Sequence, residues 1–134
     1  MIKKIPKPVM EVLKKIEKAG FEAYIVGGCV RDLIMDKNPK DWDIATSAKP
    51  EEIMKIFPDS FYENDFGTVG VKIKEKEITV SVVEITTYRT ESKYSDKRHP
   101  DKIKFAETLG EDLSRRDFTI NAMALNIKSQ KVIV

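Results

Sequence analysis

The apolar residues of this chain change their spacing several times, and these changes restrict the folds that it can adopt. Between Pro8 and Gly20 they recur at helical spacing, which predicts an amphipathic helix. Residues 21–26 then form a short apolar run that ends in paired glycines, which indicates a buried strand followed by a tight turn. Helical spacing returns over 30–35 and strand alternation over 41–45. This alternation of helices and strands is typical of an α/β domain.

The middle of the chain adds a helix, two strands and a long loop. Pro50 suits the first turn of a helix because that position needs no backbone N–H donor, and Pro58 ends the helix. Residues 68–73 and 78–87 have the composition of strands, and the short charged stretch between them predicts a hairpin. Residues 89–104 are polar and irregular, which is typical of a functional or disordered loop.

The C-terminal part predicts further helical segments and a final pair of strands. Thr108 and Glu111 have the spacing of a capping box, and helical spacing recurs over 118–123. Residues 124–127 and 132–134 are candidate edge strands on either side of a turn. No repeat, low-complexity tract or internal linker interrupts the chain.

Length and composition are those of one globular domain. The chain has 134 residues, 41% of them hydrophobic and 34% charged, and a domain of this size buries roughly two-thirds of its unfolded surface. No run approaches the ~18 apolar residues of a membrane span, so no membrane partner is expected. The net charge of +2 indicates neither a partner nor an oligomeric state. We predict a single α/β (α+β) domain over residues 1–134, with a mixed sheet and helices packed against it.

Cysteine usage and the N-terminus indicate where the protein resides. Cys29 is the only cysteine, which excludes an internal disulfide and a cysteine-based zinc site. The first residues include lysines with no apolar core behind them, unlike a secretory signal. We therefore expect a cytoplasmic protein. With no histidine nearby in sequence, Cys29 is expected to be a small packing residue rather than a nucleophile.

Asp41 and Asp43 are the main candidates for chemistry. On a strand, residues i and i+2 point to the same face, ~6.6 Å apart along the backbone, and two carboxylates so placed repel one another unless a cation lies between them. Oxygen ligands with open positions suit Mg²⁺, and a pair of such ions can activate an attacking oxygen and stabilise a leaving group. Taken alone, Asp-x-Asp is more often an acidic, solvent-facing strand. Trp42, between the acids, is expected to face the opposite side.

Two further features strengthen the case for a phosphate site. Gly27 and Gly28 follow a predicted strand, and paired glycines let backbone N–H groups approach phosphates at the start of a helix. An ordinary tight turn is the alternative. Glu84 is a third carboxylate, which lies between Val83 and Ile85 in a predicted strand. The alternation there does not decide whether Glu84 faces solvent or the acidic pair.

Three motifs together resemble a known family. The segments GGCVRD (27–32), DWDIATSAKPEE (41–52) and EDLSRRDFTINAMA (111–124) are similar to those of class II tRNA nucleotidyltransferases and bacterial poly(A) polymerases, within the polymerase β-like nucleotidyltransferase superfamily. The resemblance extends from about residue 20 to the C-terminus, and its motifs are highly specific in combination. It implies a head domain with about five strands in a mixed sheet, in which Asp41 and Asp43 bind two Mg²⁺ ions.

The resemblance also implies roles for individual residues. Gly27 and Gly28 would meet the triphosphate, and Glu84 matches a carboxylate that relatives place near the metals. Guanidinium groups neutralise phosphate oxygens, while a carboxylate or amide can bond a ribose hydroxyl. A surface ion pair is the alternative explanation for such neighbours. The remaining nucleotide-binding positions would be Arg31, Asp32, Arg115, Arg116, Asp117 and Asn121.

The loop over 89–104 matches a segment that these enzymes carry between strands, a mobile element that helps them switch to adding the final A. Its length favours an enzyme that adds more than CC. Tyr94, Arg98 and His99 are candidates for contact with RNA or nucleotide, and solvated loop residues are the more frequent explanation. His99 is the only histidine, so it cannot anchor a histidine metal cluster.

The function implied is template-independent transfer of CMP and AMP from CTP and ATP to a tRNA 3′ end. Poly(A) polymerase, CC-adding and A-adding enzymes are alternatives that a head domain does not separate. In relatives a neck selects the base, and a body and tail grip the tRNA. Residues 1–134 hold no counterpart of these parts, so base selection is expected to lie outside them. A head that binds NTP–Mg²⁺ without turnover is the competing hypothesis.

Overall fold

The computed structural model describes residues 4–64, 67–76, 79–90, 104–114, 123–129 and 131–133. In these ranges the helices are α1 Lys7–Lys18, α2 Gly28–Ile34, α3 Pro50–Ile56 and α4 Leu109–Ser114. The strands are β1 Ala23–Val26, β2 Trp42–Thr46, β3 Ser60–Asn64, β4 Thr68–Lys76, β5 Thr79–Thr87, β6 Arg89–Thr90, β7 Lys104–Phe105, β8 Ala124–Asn126 and β9 Lys131–Ile133. No helix in the described ranges has the length and hydrophobicity that a membrane span requires.

Seven of the strands form one mixed sheet in the order β3-β4-β5-β2-β1-β8-β9. β2 and β5 pair in parallel, whereas the other neighbouring pairs are antiparallel. The predicted mixed sheet and the β4–β5 hairpin are confirmed. The sheet has seven strands rather than about five, and β3 was not predicted. Within the described ranges β3 pairs only with β4. It contains two adjacent aromatic residues, Phe61 and Tyr62, so its sequence does not alternate between apolar and polar residues.

The main core lies on one face of the sheet. The predicted stripe of α1 is buried, and it packs with α3 against residues of the central strands. Trp42 is only 3% exposed and belongs to this core, together with Ile44, Val83 and Ile85. Because alternate residues of a strand point to opposite faces, Asp43 and Glu84 must point away from this core. Both carboxylates therefore lie on the other face.

That other face is only partly covered. A smaller cluster packs α4 against the β1 and β8 end of the sheet, with Val26, Tyr88, Leu109, Leu113 and Ala124 buried in it. Beyond this cluster the same face of the sheet is formed by β3, β4 and β5, and Glu84 is exposed there. This arrangement leaves an accessible surface beside β2, where the acidic pair is located.

The prediction that residues 89–104 are irregular is wrong at both ends of this segment. Arg89–Thr90 and Lys104–Phe105 pair as the antiparallel strands β6 and β7. The ring of Phe105 lies against Gly67, where an added Cβ would come within 2.9 Å of it, and Lys49 Nζ lies 4.7 Å from the ring centroid. Two-residue strands carry no periodic signal, so contacts distant in sequence decide them. The rest of the loop, with Tyr94, Arg98 and His99, lies outside the described residues.

Candidate active site

The acidic pair lies at the start of β2. Asp43 is in the strand and Asp41 directly precedes it, and both line one open cavity of about 400 Å³. Trp42 between them is buried in the core, which confirms the predicted orientation of the three residues. The buried indole anchors β2, so the two acids are carried by a rigid element of the sheet.

The glycine turn lies beside the acidic pair. Val26 pairs with Asp43 across β1 and β2, so Gly27, the next residue, is brought next to Asp43. A Cβ added at Gly27 would lie 3.7 Å from Asp43 Oδ2. Gly27 has φ 79° and ψ −147°, a conformation essentially restricted to glycine. This position in the turn between β1 and α2 therefore requires glycine, and the turn faces the carboxylate of Asp43.

Arg31 and Asp32 form an ion pair at the flank of α2. Arg31 Nε donates to Asp32 Oδ1 over 3.2 Å, and Arg31 Nη2 lies 3.4 Å from the position of a Cβ added at Gly28. The side chains are 42% and 27% exposed, so this pair contributes little stability by itself. Its guanidinium nevertheless lies at the backbone of the glycine turn and lines the cavity.

Five of the seven predicted site residues that the structure describes line the cavity, all except Gly27 and Glu84, and other residues join them. Among its described lining residues, only Cys29 is apolar and none is aromatic. Lys37, Asn38 and Lys40 were not predicted, although they lie in the polar stretch between the two motifs. The lining residues are Gly28, Cys29, Arg31, Asp32, Lys37, Asn38, Lys40, Asp41 and Asp43.

Glu84 lies next to Asp43 but outside that lining. It is the register partner of Asp43 in the parallel β2–β5 pair. Val83 and Ile85 are fully buried in the main core, so Glu84 faces the side that carries Asp43. Glu84 is exposed and also lies beside Asp43, so the two orientations that the alternation in β5 left open do not exclude each other. Glu84 therefore has the position of a third carboxylate beside the acidic pair.

Glu63 on β3 is a fourth acid near this group, and sequence reasoning missed it. Partial burial, together with the adjacent Glu84 carboxylate, raises the pKa of Glu63 above its ordinary value. A raised carboxyl pKa means that the folded state retains a proton that the unfolded state releases, so stability falls as pH rises through this range.

We expect Glu63→Gln to raise the stability of the chain at about pH 7 and to have little effect at about pH 4. The amide removes the repulsion between Glu63 and Glu84, which exists only when both carboxyls are ionised. Urea unfolding of both proteins at the two pH values measures the difference. Glu51→Gln, on the exposed side of α3, is the control. A gain that is equal at both pH values would contradict repulsion as the cause.

Cys29 is held as a packing residue. It is 4% exposed, and its thiol donates to Val26 O over 3.0 Å. Burial is the main cause that raises the pKa of the thiol to about 11. The neighbouring carboxylate of Asp43 also disfavours the thiolate. These contacts agree with the expectation that Cys29 packs rather than attacks.

We expect the Cys29 thiol of the folded protein to react with an aromatic disulfide reagent roughly a hundredfold more slowly than that of the urea-unfolded chain at about pH 8. At that pH only a trace of the folded protein carries the reactive thiolate, whereas an unfolded cysteine is appreciably ionised. Absorbance of the released thiol gives both rates. Similar rates in the two states would contradict the protected, protonated thiol.

The third motif falls largely outside the described residues. Arg115, Arg116, Asp117 and Asn121 are among those not described, so their roles stay predictions. The described chain ends at Ser114 in α4 and resumes at Met123. Gly27 N donates to Met123 O over 3.3 Å, so the end of the third motif lies beside the glycine turn.

The carboxylates at the cavity suit a metal ion that the protein binds together with a substrate, rather than one that protein ligands enclose. Across the described ranges, no group of three or more His, Cys, Asp or Glu residues is arranged to hold a metal ion. Asp41 and Asp43 supply two carboxylates at an open cavity. Mg²⁺ is typically bound through one or two carboxylates and completes its shell with water and substrate phosphates. The residues present therefore fit Mg²⁺.

A mixed sheet that carries paired acids beside a glycine turn has the head fold of the nucleotidyltransferases. The chain matches the family model of the poly A polymerase head domain over residues 23–133. It belongs to that family.

Curated relatives share about half of their residues with this chain where they align. A CCA-adding enzyme of Lactobacillus delbrueckii subsp. bulgaricus is 53% identical over 121 residues, which cover 87% of this chain and 28% of the relative. A CCA-adding enzyme of Lactococcus lactis subsp. lactis is 49% identical over 133 residues, which cover 96% of this chain and 33% of the relative. The chain thus spans about a third or less of the length of these relatives.

Solved structures have the same fold. The Bacillus stearothermophilus CCA-adding enzyme in complex with CTP has a TM-score of 0.77 and 37% identity, over 95% of this chain and 29% of that one. A tRNA nucleotidyltransferase complexed with a primer tRNA and an incoming ATP analog has a TM-score of 0.66 and 32% identity, over 91% of this chain and 33% of that one. These similarities support the fold and the family that the motifs indicated.

Proposed function

We propose that this chain is the catalytic head, over residues 1–134, of a cytoplasmic CCA-adding enzyme, which transfers CMP and AMP from CTP and ATP to a tRNA 3′ end without a template. The relatives named CCA-adding enzyme support this choice within the family. The observation that carries the proposal is the meeting of Asp41, Asp43 and the Gly27 turn at one open cavity. A nucleotidyl transfer requires phosphate binding and acidic metal ligands at one point.

In the proposed mechanism Asp41 and Asp43 would hold two Mg²⁺ ions. When bound, magnesium would neutralise phosphate charge and make the attacking oxygen a better nucleophile. The RNA 3′ hydroxyl attacks the α-phosphorus of the NTP, a new phosphodiester bond forms, and the α–β bond breaks to release pyrophosphate. Glu84, beside Asp43 in the sheet, is placed to accept the hydroxyl proton or to orient the acidic pair.

The remaining site residues bind the nucleotide. The backbone of Gly27 and Gly28 approaches the triphosphate, and Arg31, held by Asp32, places positive charge at the same turn. Guanidinium groups suit phosphate oxygens because they donate in a planar fork. The third motif would complete the pocket next to Met123. Its proposed contacts to phosphate and ribose are Arg115, Arg116, Asp117 and Asn121.

Extension of a tRNA that lacks CCA tests the proposal. The 134-residue chain and any longer product of the same reading frame are incubated with Mg²⁺ and labelled CTP and ATP, and the tRNA is resolved at nucleotide resolution. We expect addition of two C residues followed by one A. A long A tail would identify a poly(A) polymerase, and addition of only CC or only A would identify the corresponding partial enzyme. Each of these outcomes would replace the CCA assignment.

A head that binds NTP–Mg²⁺ without turnover is the second candidate. The observation that favours it is the described lining of the cavity, which offers carboxylates and cations but no aromatic platform for an RNA base. Binding of all four NTPs with similar affinity and no extension of tRNA would support it. A clear preference of these residues for one base would contradict the proposal that base selection lies outside them.

A further inference from the structure

We propose that Lys37 and Lys40 bind the β- and γ-phosphates of the incoming NTP and then hold the pyrophosphate that leaves. This inference rests on the proposed function, because it concerns the same cavity. Both lysines lie on the connection between α2 and β2, and both line the cavity with Asp41 and Asp43. The motifs assign no role to this connection.

Once Asp41 and Asp43 are engaged by metal ions, the described lining of the cavity holds no further carboxylate to balance Lys37 and Lys40. Three acids and three bases line it. Arg31 is already bonded to Asp32 over 3.2 Å, so that pair is neutral as a unit. Neither lysine has a hydrogen bond, ion pair or ring contact through its side chain within the described parts of the chain. Two solvated ammonium groups are therefore available to an anion that enters the cavity.

Hydrogen bonds hold the start of the connection that carries the two lysines. Lys4 Nζ donates to Asp36 O over 2.8 Å and lies 2.6 Å from Asp36 Oδ1. Asp36 adopts a left-handed conformation with φ 58°, and Lys37 N donates to Asp32 O over 2.7 Å. The acid of this connection is thus neutralised by Lys4, while its lysines line the cavity. These bonds order the backbone at Asp36 and Lys37 before a ligand binds, so the ordering cost on binding falls mainly on the lysine side chains.

The chemistry of the cavity wall favours phosphate over a nucleobase. Its described lining has no aromatic residue, and Cys29 is its only apolar one. A base would lack a stacking surface there, since aromatic side chains are the usual platform for bases. Lysine ammonium groups are compact point charges and are common ligands of phosphate. Because the α-phosphate must lie at Asp41 and Asp43, the rest of this polar cavity suits the phosphates beyond it.

Charge balance leads to the same result. Two Mg²⁺ ions, together with Asp41 and Asp43, would carry a net charge of about +2, whereas a triphosphate carries about −4 near neutral pH. The difference is two negative charges, and Lys37 and Lys40 are the cations of the described lining that are not already paired with Asp32, so they can offset it. After the transfer, the same two charges would oppose the loss of pyrophosphate from the cavity.

Ligands of different length test this proposal. Dissociation constants for CTP, CMP and pyrophosphate are measured in Mg²⁺ by titration calorimetry, with the wild-type chain and with Lys37→Gln, Lys40→Gln and the double variant. We expect each single change to weaken CTP and pyrophosphate roughly fivefold, and the double change at least tenfold, with CMP unaltered. The matched control is the double variant Lys14→Gln and Lys55→Gln, which removes the same charge from exposed positions on α1 and α3.

The outcomes separate this inference from the proposed function. If the wild-type chain binds CTP and the lysine variants bind it equally well, the inference is overturned and the function stands. The inference is also overturned if CMP weakens as much as CTP, or if only the affinity for tRNA falls, which would assign the lysines to the RNA backbone. Binding of pyrophosphate through the lysines without any binding of CTP would overturn the proposed function and, with it, the assignment of the lysines to an incoming NTP. Binding of neither ligand would overturn both.

Discussion

Replacement of Asp43 by asparagine is expected to lower nucleotide incorporation by about a thousandfold, because a neutral amide cannot hold Mg²⁺ beside Asp41. The change keeps nearly the same shape, so the β2 pairing of Asp43 with Val26 and Glu84 should persist. The assay is extension of a tRNA lacking CCA, measured on whichever product of the reading frame is active. Trp42, the only tryptophan, is buried in the core on the opposite face of β2, so its fluorescence reports whether the variant keeps the native fold.

The control for this prediction is Asp59→Asn. It makes the same chemical change in an exposed turn outside the cavity, and incorporation should stay within about twofold of the wild-type value. Incorporation by the Asp43 variant within about tenfold of wild type would remove Asp43 from the metal site. A loss of activity with an unfolded circular dichroism spectrum would instead assign Asp43 to stability.

Replacement of Gly27 by alanine is expected to destabilise the chain by about 2 kcal/mol and to reduce NTP binding. The cause is conformational, because an alanine Cβ is strained at φ 79° and ψ −147°. Space is not the obstacle, since the added atom would lie no nearer than 3.7 Å to Asp43 Oδ2. Relief of the strain would move the turn relative to that carboxylate. Urea unfolding gives the stability change, and calorimetry with CTP and Mg²⁺ gives the affinity change.

Gly110→Ala is the matched control. Gly110 lies in α4, is exposed, and has open space around an added Cβ, with Thr108 Oγ1 at 4.0 Å as its nearest neighbour. Alanine should be neutral there or stabilise the chain by about 0.5–1 kcal/mol. Equal effects at Gly27 and Gly110 would show that the turn carries no special backbone strain.

Most of the helices and strands were predicted from local patterns. The stripe of α1 and the hairpin of β4 and β5 follow from periodicity, and Pro50 marks the start of α3. The ends of these elements differ from the predictions by a few residues, as with β1, which begins at Ala23 rather than Phe21. Elements without a periodic signal were missed. β3 depends on its pairing with β4, and β6 with β7 depend on contacts across thirteen intervening residues.

The candidate site was predicted in part. Asp41, Asp43 and Gly27 were identified because their motifs in combination resemble a known family, whereas each motif alone has an ordinary structural explanation. Glu63, Lys37 and Lys40 were not, since their types are common on any protein surface. Their relevance comes from position, which is set by the pairing of β3 with β4 and by the pinned turn after α2. The third motif remains a prediction.

The sequence alone identified candidates for binding metal and phosphate, and it determined the order of most of the elements that carry them. Both are local properties, because side-chain chemistry, periodicity and the freedom of glycine act within a few residues. The tertiary structure decided which of these residues meet. Glu84 lies beside Asp43 because β5 pairs in parallel with β2, although 40 residues separate the two in the chain. The lysines line the same cavity because α2 is held against β1. Such contacts depend on register and packing between distant segments, and no local pattern encodes them.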